Sequence, residues 1–348
     1  MAVQEQIVAA LRSRIRAGAW AAGKRLPTVR ELQAEFAVSL LTIHRCLRTL
    51  AGLGFIITRG RHGTVVVDHP PHRCRFGLVL PALPDSGSYA NLRWQALATA
   101  ARAFTDPLQT VEVFHAVDQH RELAEHRRLR QALDDQRLAG LIVPQPVQTS
   151  TWFDPSAGSL PTILSHPTPA THHGHISLAQ VTFLERAFDL VRQRGLTTVA
   201  VLLNSGAWRW GAVEQTLAAC AARGLTCPRR WIQGVPDDLP GWSAHVIETL
   251  FATHPQVTPP AALIIADDHL VPAATAALAA MGQTPLVIAL ANFPLPLNQP
   301  SPLPGTILLG WDHHDFLRVA ITRISSHLAT GAALGDQHLP LKSYGDGP

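Results

Sequence analysis

The sequence lacks most of the motifs that identify enzymes and metalloproteins. Its 348 residues include only four cysteines, and these form no Cys-x-x-Cys pair and no zinc-ligand spacing, which is typical of reduced structural thiols. No Gly-x-Ser-x-Gly elbow, phosphate-binding loop or dinucleotide-binding fingerprint occurs. The sequence therefore gives no reason to expect a cofactor, a metal ion or a catalytic nucleophile.

Long apolar runs are missing as well. No stretch reaches the roughly 18 apolar residues that a membrane-spanning helix needs. The first twenty residues have helically spaced apolar positions instead of the continuous apolar core and small-residue cleavage site of a signal peptide. With 47% hydrophobic and 16% charged residues, the composition is that of a globular protein. We expect this protein to remain in the cytoplasm, without a membrane partner.

Positive charge is concentrated at the start of the chain. Residues 1–75 carry 12 Lys+Arg against 4 Asp+Glu, whereas the other 273 residues carry 17 against 21. The first part therefore has a net charge of +8 and the rest a net charge of −4. A small basic module on a mildly acidic body predicts a polyanionic partner for the first part alone. The alternative at this point is a solvated basic face without a partner.

The first seventy residues have the pattern of three helices and a β-hairpin. Helical spacing predicts a first helix over residues 4–17, and Thr28 and Ser39 are suited to cap a second and a third helix. Apolar runs on either side of a Gly-rich turn predict a hairpin over residues 55–67. This combination predicts a winged helix-turn-helix. The third helix has a stripe with the spacing of buried positions, formed by Ile43, Cys46, Leu47 and Leu50.

Residues 4–67 resemble the DNA-binding domain of the GntR family of bacterial regulators. The resemblance rests on "GKRLPTVREL", "FAVSLLTIHRCLRTL" and "TRGRHGTVVV", which follow one another in the family's order. It implies that the start of helix 3 enters the major groove and that the wing tip reaches the minor groove. The residues expected to contact DNA combine those that the resemblance implies with those on the outer face of helix 3. They are Arg30, Ser39, Leu40, Leu41, Thr42, His44, Arg45, Arg48, Arg61 and His62.

Two leucines depart from the family's pattern at the start of helix 3, where polar or basic residues are usual. A turn of 100° per residue places Leu41 on the face opposite the buried stripe. The natural apolar target in the major groove is the thymine methyl group, so Leu41 is expected to read it. Leu40 lies nearer the flank of the core and is expected to pack against helix 2. Arg61 is a further departure, since the family usually has glycine there.

After the prolines at 70 and 71 the sequence changes to alternating apolar strands and amphipathic helices. Two such series predict two α/β lobes with parallel sheets. We therefore expect a winged helix-turn-helix domain over residues 1–68, a short stiff linker over 69–75 and a two-lobed α/β domain over 76–348. A final helix from "HDFLRVAITRISSHLATG" and a polar tail close the chain.

The second part resembles the effector-binding domain of the lactose-repressor family, which is itself similar to periplasmic sugar-binding proteins. The resemblance covers about residues 74–343 and rests on element order and on "LAGLIVPQP", "AFDLVRQRGLTTVAVLL" and "AALIIADDHLVPAATAALAAMG". It implies a small-molecule effector, with a sugar favoured, bound between the lobes at the carboxyl ends of the strands. It also implies a homodimer that binds an inverted repeat in operator DNA and acts as a repressor.

The expected effector-binding residues follow predicted strands or match the family's ligand positions. Asp268 matches the acidic member of the family's Asn-Asp pair, with Asp267 in place of the asparagine. Arg209 matches the family's arginine in one register, and Trp208 takes that place in a register shifted by one residue. Core packing is the alternative for Trp208, and a turn role is the alternative for Asp85. The full set is Asp85, Gln145, His166, Trp208, Arg209, Asp268 and Asn292.

Other motifs favour ordinary structural roles. The histidines of "HHGH" at 172–175 are expected in an exposed loop. Residues 312–315, "DHHD", are expected at an exposed helix start with acidic caps. An enzyme with an aminotransferase-like second domain needs a Schiff-base lysine, and the only lysine after residue 24 is Lys342 in the tail. A ligand-binding protein whose main activity resides in the cleft is the remaining alternative to a regulator.

Overall fold

The computed structural model describes residues 3–60, 63–81, 92–117, 124–144, 160–165, 173–178, 180–204, 211–236, 239–252, 258–295 and 303–344. The chain divides into two compact units. The first contains residues 1–81, 104–175 and 320–335, and the second contains residues 82–103, 176–319 and 336–348. No helix within the described ranges is long and apolar enough to cross a membrane.

The first unit begins with a small domain, residues 3–68, which we call the head. Its elements are α1 (Val3–Arg16), α2 (Val29–Phe36), α3 (Leu40–Gly52), β1 (Ile56–Thr58) and β2 (Thr64–Val66). The two strands pair antiparallel, with Ile56 opposite Val66. The predicted three helices and hairpin are confirmed. The core is formed by the inner faces of all three helices and the base of the hairpin, and it includes Leu11, Leu32, Ile43, Leu50 and Phe55.

Side-chain caps explain where α2 and α3 begin. Thr28 accepts a hydrogen bond from the backbone N–H of Glu31, and the Glu31 carboxylate accepts one from the Thr28 N–H, which makes a capping box. Ser39 Oγ accepts a hydrogen bond from the Thr42 N–H at 3.1 Å. Both caps satisfy donors that a helix start leaves open, so the short turn between α2 and α3 is fixed at both ends.

The hairpin turn depends on Gly63. Its φ is +74°, and a Cβ atom there would lie 2.6 Å from Nε of Arg25. The positive φ is what favours glycine here, because the Arg25 guanidinium is the end of a flexible side chain that can move aside. Arg61 and His62, the predicted wing-tip residues, lie outside the described residues.

The segment that follows the head is packed rather than extended. Pro71–Cys74 form a short helix, α4, that runs directly into strand β3 (Arg75–Val79). His72 is buried and its ring stacks on Phe55 of the head, with centroids 5.6 Å apart and planes 12° apart. These contacts explain how a segment predicted to be short and stiff holds its conformation.

A second contact joins the head to the following domain within the same unit. One guanidinium nitrogen of Arg12 on α1 donates a hydrogen bond to the Asp134 carbonyl oxygen at 3.0 Å. The other lies 3.5 Å from the Asp135 carboxylate, and the Arg12 side chain is only 11% exposed. We call this set, Arg12 with Asp134 and Asp135, the latch. It ties a helix of the head to a turn more than a hundred residues away.

We expect Arg12→Ala to lower the free energy of unfolding of the first unit by about 1–3 kcal/mol, because it removes a largely buried charged donor from its carbonyl partner. Arg130→Ala is the matched control, since Arg130 pairs with Asp134 on an open surface at 3.7 Å and such pairs contribute little. Urea denaturation and the rate of proteolysis within residues 69–75 are the measurements. Equal results for both variants would show that the latch contributes nothing.

After the head, the described residues form two six-stranded sheets, as the α/β pattern predicts. One has the order β13-β7-β6-β5-β3-β4, and neighbours from β3 to β7 are parallel. Its further strands are β4 (Thr110–Phe114), β5 (Gly140–Val143), β6 (Thr162–Leu164), β7 (Gly174–Ser177) and β13 (Asp336–His338). Helix α6 (Ala124–Asp134) lies in the same unit as these strands, whereas helix α5 (Leu92–Arg102) belongs to the second unit.

The second sheet has the order β14-β12-β11-β10-β8-β9. Its strands are β8 (Val199–Asn204), β9 (Ile232–Val235), β10 (Ala262–Ile265), β11 (Leu286–Phe293), β12 (Ile307–Asp312) and β14 (Lys342–Tyr344). The helices are α7 (Gln180–Gln193), α8 (Ala212–Ala221), α9 (Trp242–Leu250), α10 (Val271–Ala280) and α11 (His313–Thr330). Strands β8, β10, β11 and β12 are parallel, so their carboxyl ends lie at one edge.

One expectation about a loop is wrong. The "HHGH" segment is not an exposed loop where it is described, because Gly174–Ser177 form strand β7 and His173 and His175 are half-buried. The polar tail is partly structured. Strand β14 pairs antiparallel with β12, and Lys342 Nζ lies 3.0 Å from a carboxylate oxygen of Asp312 and 2.6 Å from one of Asp315. Backbone pairing at a sheet edge explains why polar segments become strands here.

Candidate functional site

The outer face of α3 is open and basic, as its sequence predicts. The stripe Ile43, Cys46, Leu47 and Leu50 is buried. Leu41 is 60% exposed and Leu40 is 44% exposed. Leu40, which the sequence led us to expect against helix 2, is exposed and is not among the residues packed against the head's core. The other exposed residues of the predicted DNA-contacting set are Arg30, Ser39, His44, Arg45 and Arg48, while Thr42 is half-buried.

The two hydroxyl groups at the start of α3 are engaged with each other. Ser39 Oγ and Thr42 Oγ1 lie 2.9 Å apart, in addition to the cap between Ser39 Oγ and the Thr42 N–H. Both hydroxyls therefore serve the helix cap. The side chains that project freely from the first turn are the two leucines.

A second cluster of polar side chains lies at the carboxyl ends of the parallel strands of the second sheet. We call it the polar edge. It comprises residues at the ends of β8 and β11 and just after β10 and β12, namely Asn204, Asp267, Asp268, His269, Asn292 and His313.

One half of the polar edge is centred on Asp267. Asn204 Nδ2 donates to one of its carboxylate oxygens at 2.8 Å. The other oxygen accepts the backbone N–H of His269 at 3.0 Å and lies 3.0 Å from Nδ1 of the same residue. Asp267 therefore joins the end of β8 to the turn after β10.

The other half is centred on Asp268, which is 4% exposed. Asn292 Nδ2 donates to one Asp268 oxygen at 2.7 Å, and Nδ1 of His269 lies 3.2 Å from the other. The Asn292 side-chain oxygen lies 2.9 Å from Nε2 of His313, which is fully buried. Since the amide nitrogen donates to a carboxylate, the amide oxygen accepts from His313 Nε2–H. The hydrogen bonds thus run unbroken across four strands.

The two carboxylates stabilise the charged form of His269. Burial opposes the charge, but the hydrogen bonds and charges of Asp267 and Asp268 outweigh it and raise the pKa of His269 to about 11. The backbone N–H of Leu92 also points at Nε2 of this ring at 3.3 Å, a contact that only a neutral ring accepts. Two carboxylates within 3.2 Å outweigh one long contact, so we treat the ring as charged.

Burial has the opposite effect on two neighbouring bases. It lowers the pKa of His313 to about 3, assisted by the charge of Arg93. It also lowers the pKa of Arg93 to about 10, although the Asp268 carboxylate partly offsets this change. His313 is therefore neutral at physiological pH. With its neighbour Arg93 included, the polar edge holds two carboxylates and two cations, so the formal charge of this region is close to zero.

Asp267, Asp268 and His269 also meet the distance criterion for a metal-ligand group, with their ligand atoms within 4.8 Å of one another. Each of these atoms already takes part in the hydrogen bonds described above. The arrangement is that of an internally satisfied ion-pair cluster and not of ligands held apart for a metal ion.

The polar edge contains two of the seven predicted effector-binding residues, Asp268 and Asn292, and brings them together directly. The other five, Asp85, Gln145, His166, Trp208 and Arg209, lie outside the described residues. Sequence analysis missed Arg93, His269 and His313. His269 follows the predicted pair of aspartates without a break, which is a usable signal. Residues 312–315 do begin a helix, and Asp312 accepts the His314 N–H at 2.9 Å, but His313 is buried instead of exposed.

The sequence of the head matches a known family. Residues 3–66 fit the family described as bacterial regulatory proteins, gntR family. Over these residues the head is therefore similar to the helix-turn-helix domain of that family. The head is also similar to the HTH-type transcriptional regulator Rv1152 of Mycobacterium tuberculosis, with 42% identity over 57 residues, 16% of this chain and 47% of that protein. The chain thus spans about half the length of that curated relative.

The part of the chain that follows the head is similar in fold to solved structures of LacI-type regulators. One from Bifidobacterium animalis subsp. lactis has 14% identity and a TM-score of 0.54, covering 78% of this chain and 97% of that one. A LacI family regulator from Lactobacillus casei with bound glucose has 15% identity and a TM-score of 0.53, covering 77% and 98%. The trehalose repressor of Escherichia coli has 14% identity and a TM-score of 0.53, covering 78% and 100%. These similarities confirm the predicted two-lobed α/β fold of periplasmic-binding-protein type.

Proposed function

We propose that this protein is a transcriptional repressor whose affinity for operator DNA is controlled by a sugar bound at the polar edge. The observation that carries the proposal is the pairing, in one chain, of an open basic recognition helix with a hydrogen-bonded polar cluster at the strand ends of a LacI-type fold. The first provides a surface for DNA, and the second provides a site for a small polar ligand.

Charge and exposure support the DNA-binding part. Arg30, Arg45 and Arg48 are exposed on α2 and α3, and the head and the segment after it carry the whole positive excess of the chain. Arginines on an exposed recognition helix attract phosphates without regard to sequence. We propose that α3 enters the major groove, that Arg30 contacts the flanking backbone, and that Arg61 and His62 contact the minor groove.

The chemistry of the polar edge supports a polyhydroxylated effector. Carboxylates and amides that converge at the ends of parallel strands suit a ring of hydroxyl groups. The side chains of Asp267 and His269 are about one-fifth exposed, whereas Asp268 and Asn292 are 4% and 5% exposed. We propose that Asp267 and His269 contact the ligand and that Asp268 and Asn292 orient them. Asp85, Gln145, His166, Trp208 and Arg209 complete the proposed site.

Two similar structures point to the same ligand class. The Lactobacillus casei regulator holds glucose, and the Escherichia coli protein is a trehalose repressor. Regulators that bind inverted repeats are two-fold symmetric, so we also propose a homodimer with one recognition helix for each half-site. A ligand changes DNA affinity only through different affinities for the DNA-bound and free conformations. For an inducer, the free conformation binds the sugar more tightly.

The proposal predicts the result of a screen against a panel of mono- and disaccharides. One sugar is expected to stabilise the protein by about 2.7 kcal/mol at a concentration 100 times its Kd, and the same sugar is expected to weaken binding to an operator selected from random DNA. Thermal unfolding and fluorescence anisotropy are the measurements, with sedimentation to show two chains for each operator. Asp267→Asn is expected to lose both responses, while Asp336→Asn, an exposed control, keeps them.

Each part of the proposal has its own contrary result. Stabilisation by a sugar without any change in operator affinity would indicate a ligand-binding protein instead of a regulator. The absence of any selected operator would exclude sequence-specific recognition. A single chain bound to each operator would exclude the homodimer.

A further inference from the structure

We infer that Leu40 and Leu41 together form a methyl-reading patch, which selects half-sites with thymines in neighbouring base pairs. The inference rests on the proposed function, since it assumes that α3 enters the major groove. Beyond the proposed function, the inference specifies which group of the operator bases the start of α3 contacts, namely the thymine methyl group. The patch consists of these two side chains alone.

The structure places the patch outside the core of the head. Leu40 and Leu41 are 44% and 60% exposed, and neither belongs to the head's core cluster. The core is complete without them, because the inward stripe of α3 supplies Ile43, Cys46, Leu47 and Leu50. Two adjacent leucines left in water at the start of a helix therefore need a partner outside the head.

The surroundings of the patch select DNA over an apolar protein surface. His44, Arg45 and Arg48 are exposed on the same helix, so the patch lies within a basic face. A protein partner for two leucines would have to bury or pair Arg45 and Arg48, whereas the DNA backbone pairs arginines with phosphates. The positive charge around the two leucines therefore favours DNA over an apolar protein surface as their partner.

The leucines are the side chains of the first turn of α3 that are available to contact bases, because the polar side chains there form hydrogen bonds within the helix cap. The hydroxyls of Ser39 and Thr42 are 2.9 Å apart and serve the helix cap, so neither is needed to explain base recognition. In the major groove the apolar feature of the bases is the thymine C5 methyl group. Leu40 and Leu41 therefore favour A·T pairs and are indifferent to the hydrogen-bonding pattern.

The geometry assigns the leucines to different base pairs. Successive Cα atoms are about 3.8 Å apart, close to the roughly 3.4 Å between successive bases of one strand. Successive side chains also diverge by about 100° around the helix. Two leucines that diverge from neighbouring backbone positions do not converge on one methyl group. The expected target is one methyl for each leucine in adjacent base pairs.

The test uses the full chain and an operator selected from random DNA, in which each thymine is replaced in turn by uracil. This replacement removes only the C5 methyl group. For the wild-type protein, Kd is expected to rise about fivefold at two neighbouring positions, the low end for loss of a base contact. Leu40→Ala is expected to be insensitive to uracil at one of these positions, and Leu41→Ala at the other. Neither variant is expected to change the salt dependence of binding.

Leu108→Ala is the matched control, because Leu108 is 50% exposed and lies outside the head. It is expected to respond to uracil as the wild type does. The inference is overturned if uracil has no effect at any position, or if both leucine variants keep the wild-type response. It is also overturned if the variants lower the melting temperature or the degree of self-association while operator preference is unchanged. Failure of the proposed function is a different result, namely that the wild type selects no operator at all.

Discussion

Replacing Asp268 by alanine is expected to lower the free energy of unfolding by about 3–5 kcal/mol, the usual cost of removing one member of a buried ion pair. The Asp268 carboxylate is 4% exposed and is surrounded by groups that need its charge. Asn292 donates to it at 2.7 Å, His269 lies 3.2 Å away, and the charge of Asp268 acts on the buried Arg93. Alanine leaves the Asn292 donor without this acceptor and the cations without this counter-charge.

Urea denaturation measures the effect on stability, and binding to non-specific DNA shows whether the head is intact. Asp268→Asn keeps the shape and one acceptor oxygen but loses the charge, so it is expected to cost less than alanine. Asp336→Ala, on an exposed strand, is the control and is expected to stay within about 0.5 kcal/mol of the wild type. If Asp268→Ala unfolds like the wild type and loses only the sugar response, Asp268 contacts the ligand directly instead of orienting other residues.

Acid is expected to destabilise the protein through His313, between pH 6.5 and about 3. In the folded protein, burial and the charge of Arg93 hold the pKa of His313 at about 3, whereas an unfolded histidine takes up a proton near pH 6.5. In this window the unfolded state binds more protons, so stability falls as the pH is lowered. A shift of this size corresponds to at most about 4–5 kcal/mol, at about 1.4 kcal/mol for each pH unit.

His313→Gln separates this effect from the titration of carboxylates, because a glutamine amide can still donate to the Asn292 oxygen but does not titrate. The difference in unfolding free energy between wild type and variant is expected to change with pH between 6.5 and 3.

His72, whose pKa burial lowers to about 4, adds an acid-dependent loss of stability that both proteins share. The raised pKa of His269 acts at the other end, since its contribution is complete below pH 6.5 and is lost towards pH 11. A constant difference across the acid range would contradict the assignment to His313.

The head was largely predictable because its determinants are local. Helical spacing gives the buried stripe of α3, and the caps at Thr28 and Ser39 depend on residues within the next three positions. Leu40 was not predictable in the same way. A helical angle places it on the flank of the stripe, and only the arrangement of α2 against α3 decides whether that flank is covered.

The polar edge was only half predictable. Parallel strands bring their carboxyl ends to one edge, so Asp268 and Asn292 could be assigned from strand positions. The partners that neutralise and orient them come from elsewhere in the chain. Arg93 lies in α5, and His313 follows β12. Burial by residues distant in sequence also changes the role of His313. At an exposed helix start it would be a solvated base, whereas in the structure it is a buried neutral hydrogen-bond donor to Asn292.

The latch has a consequence for exchanging domains between regulators. In sequence the natural cut lies within residues 69–75, but Arg12 makes its contacts with Asp134 and Asp135, far beyond that cut. A chimera that joins residues 1–68 to a foreign effector domain therefore keeps the DNA-binding face of α3 but loses the contacts of Arg12 with Asp134 and Asp135. Engineered biosensors built from this head need the anchoring turn grafted at the corresponding place in the new host, or its recognition helix is tethered through the linker alone.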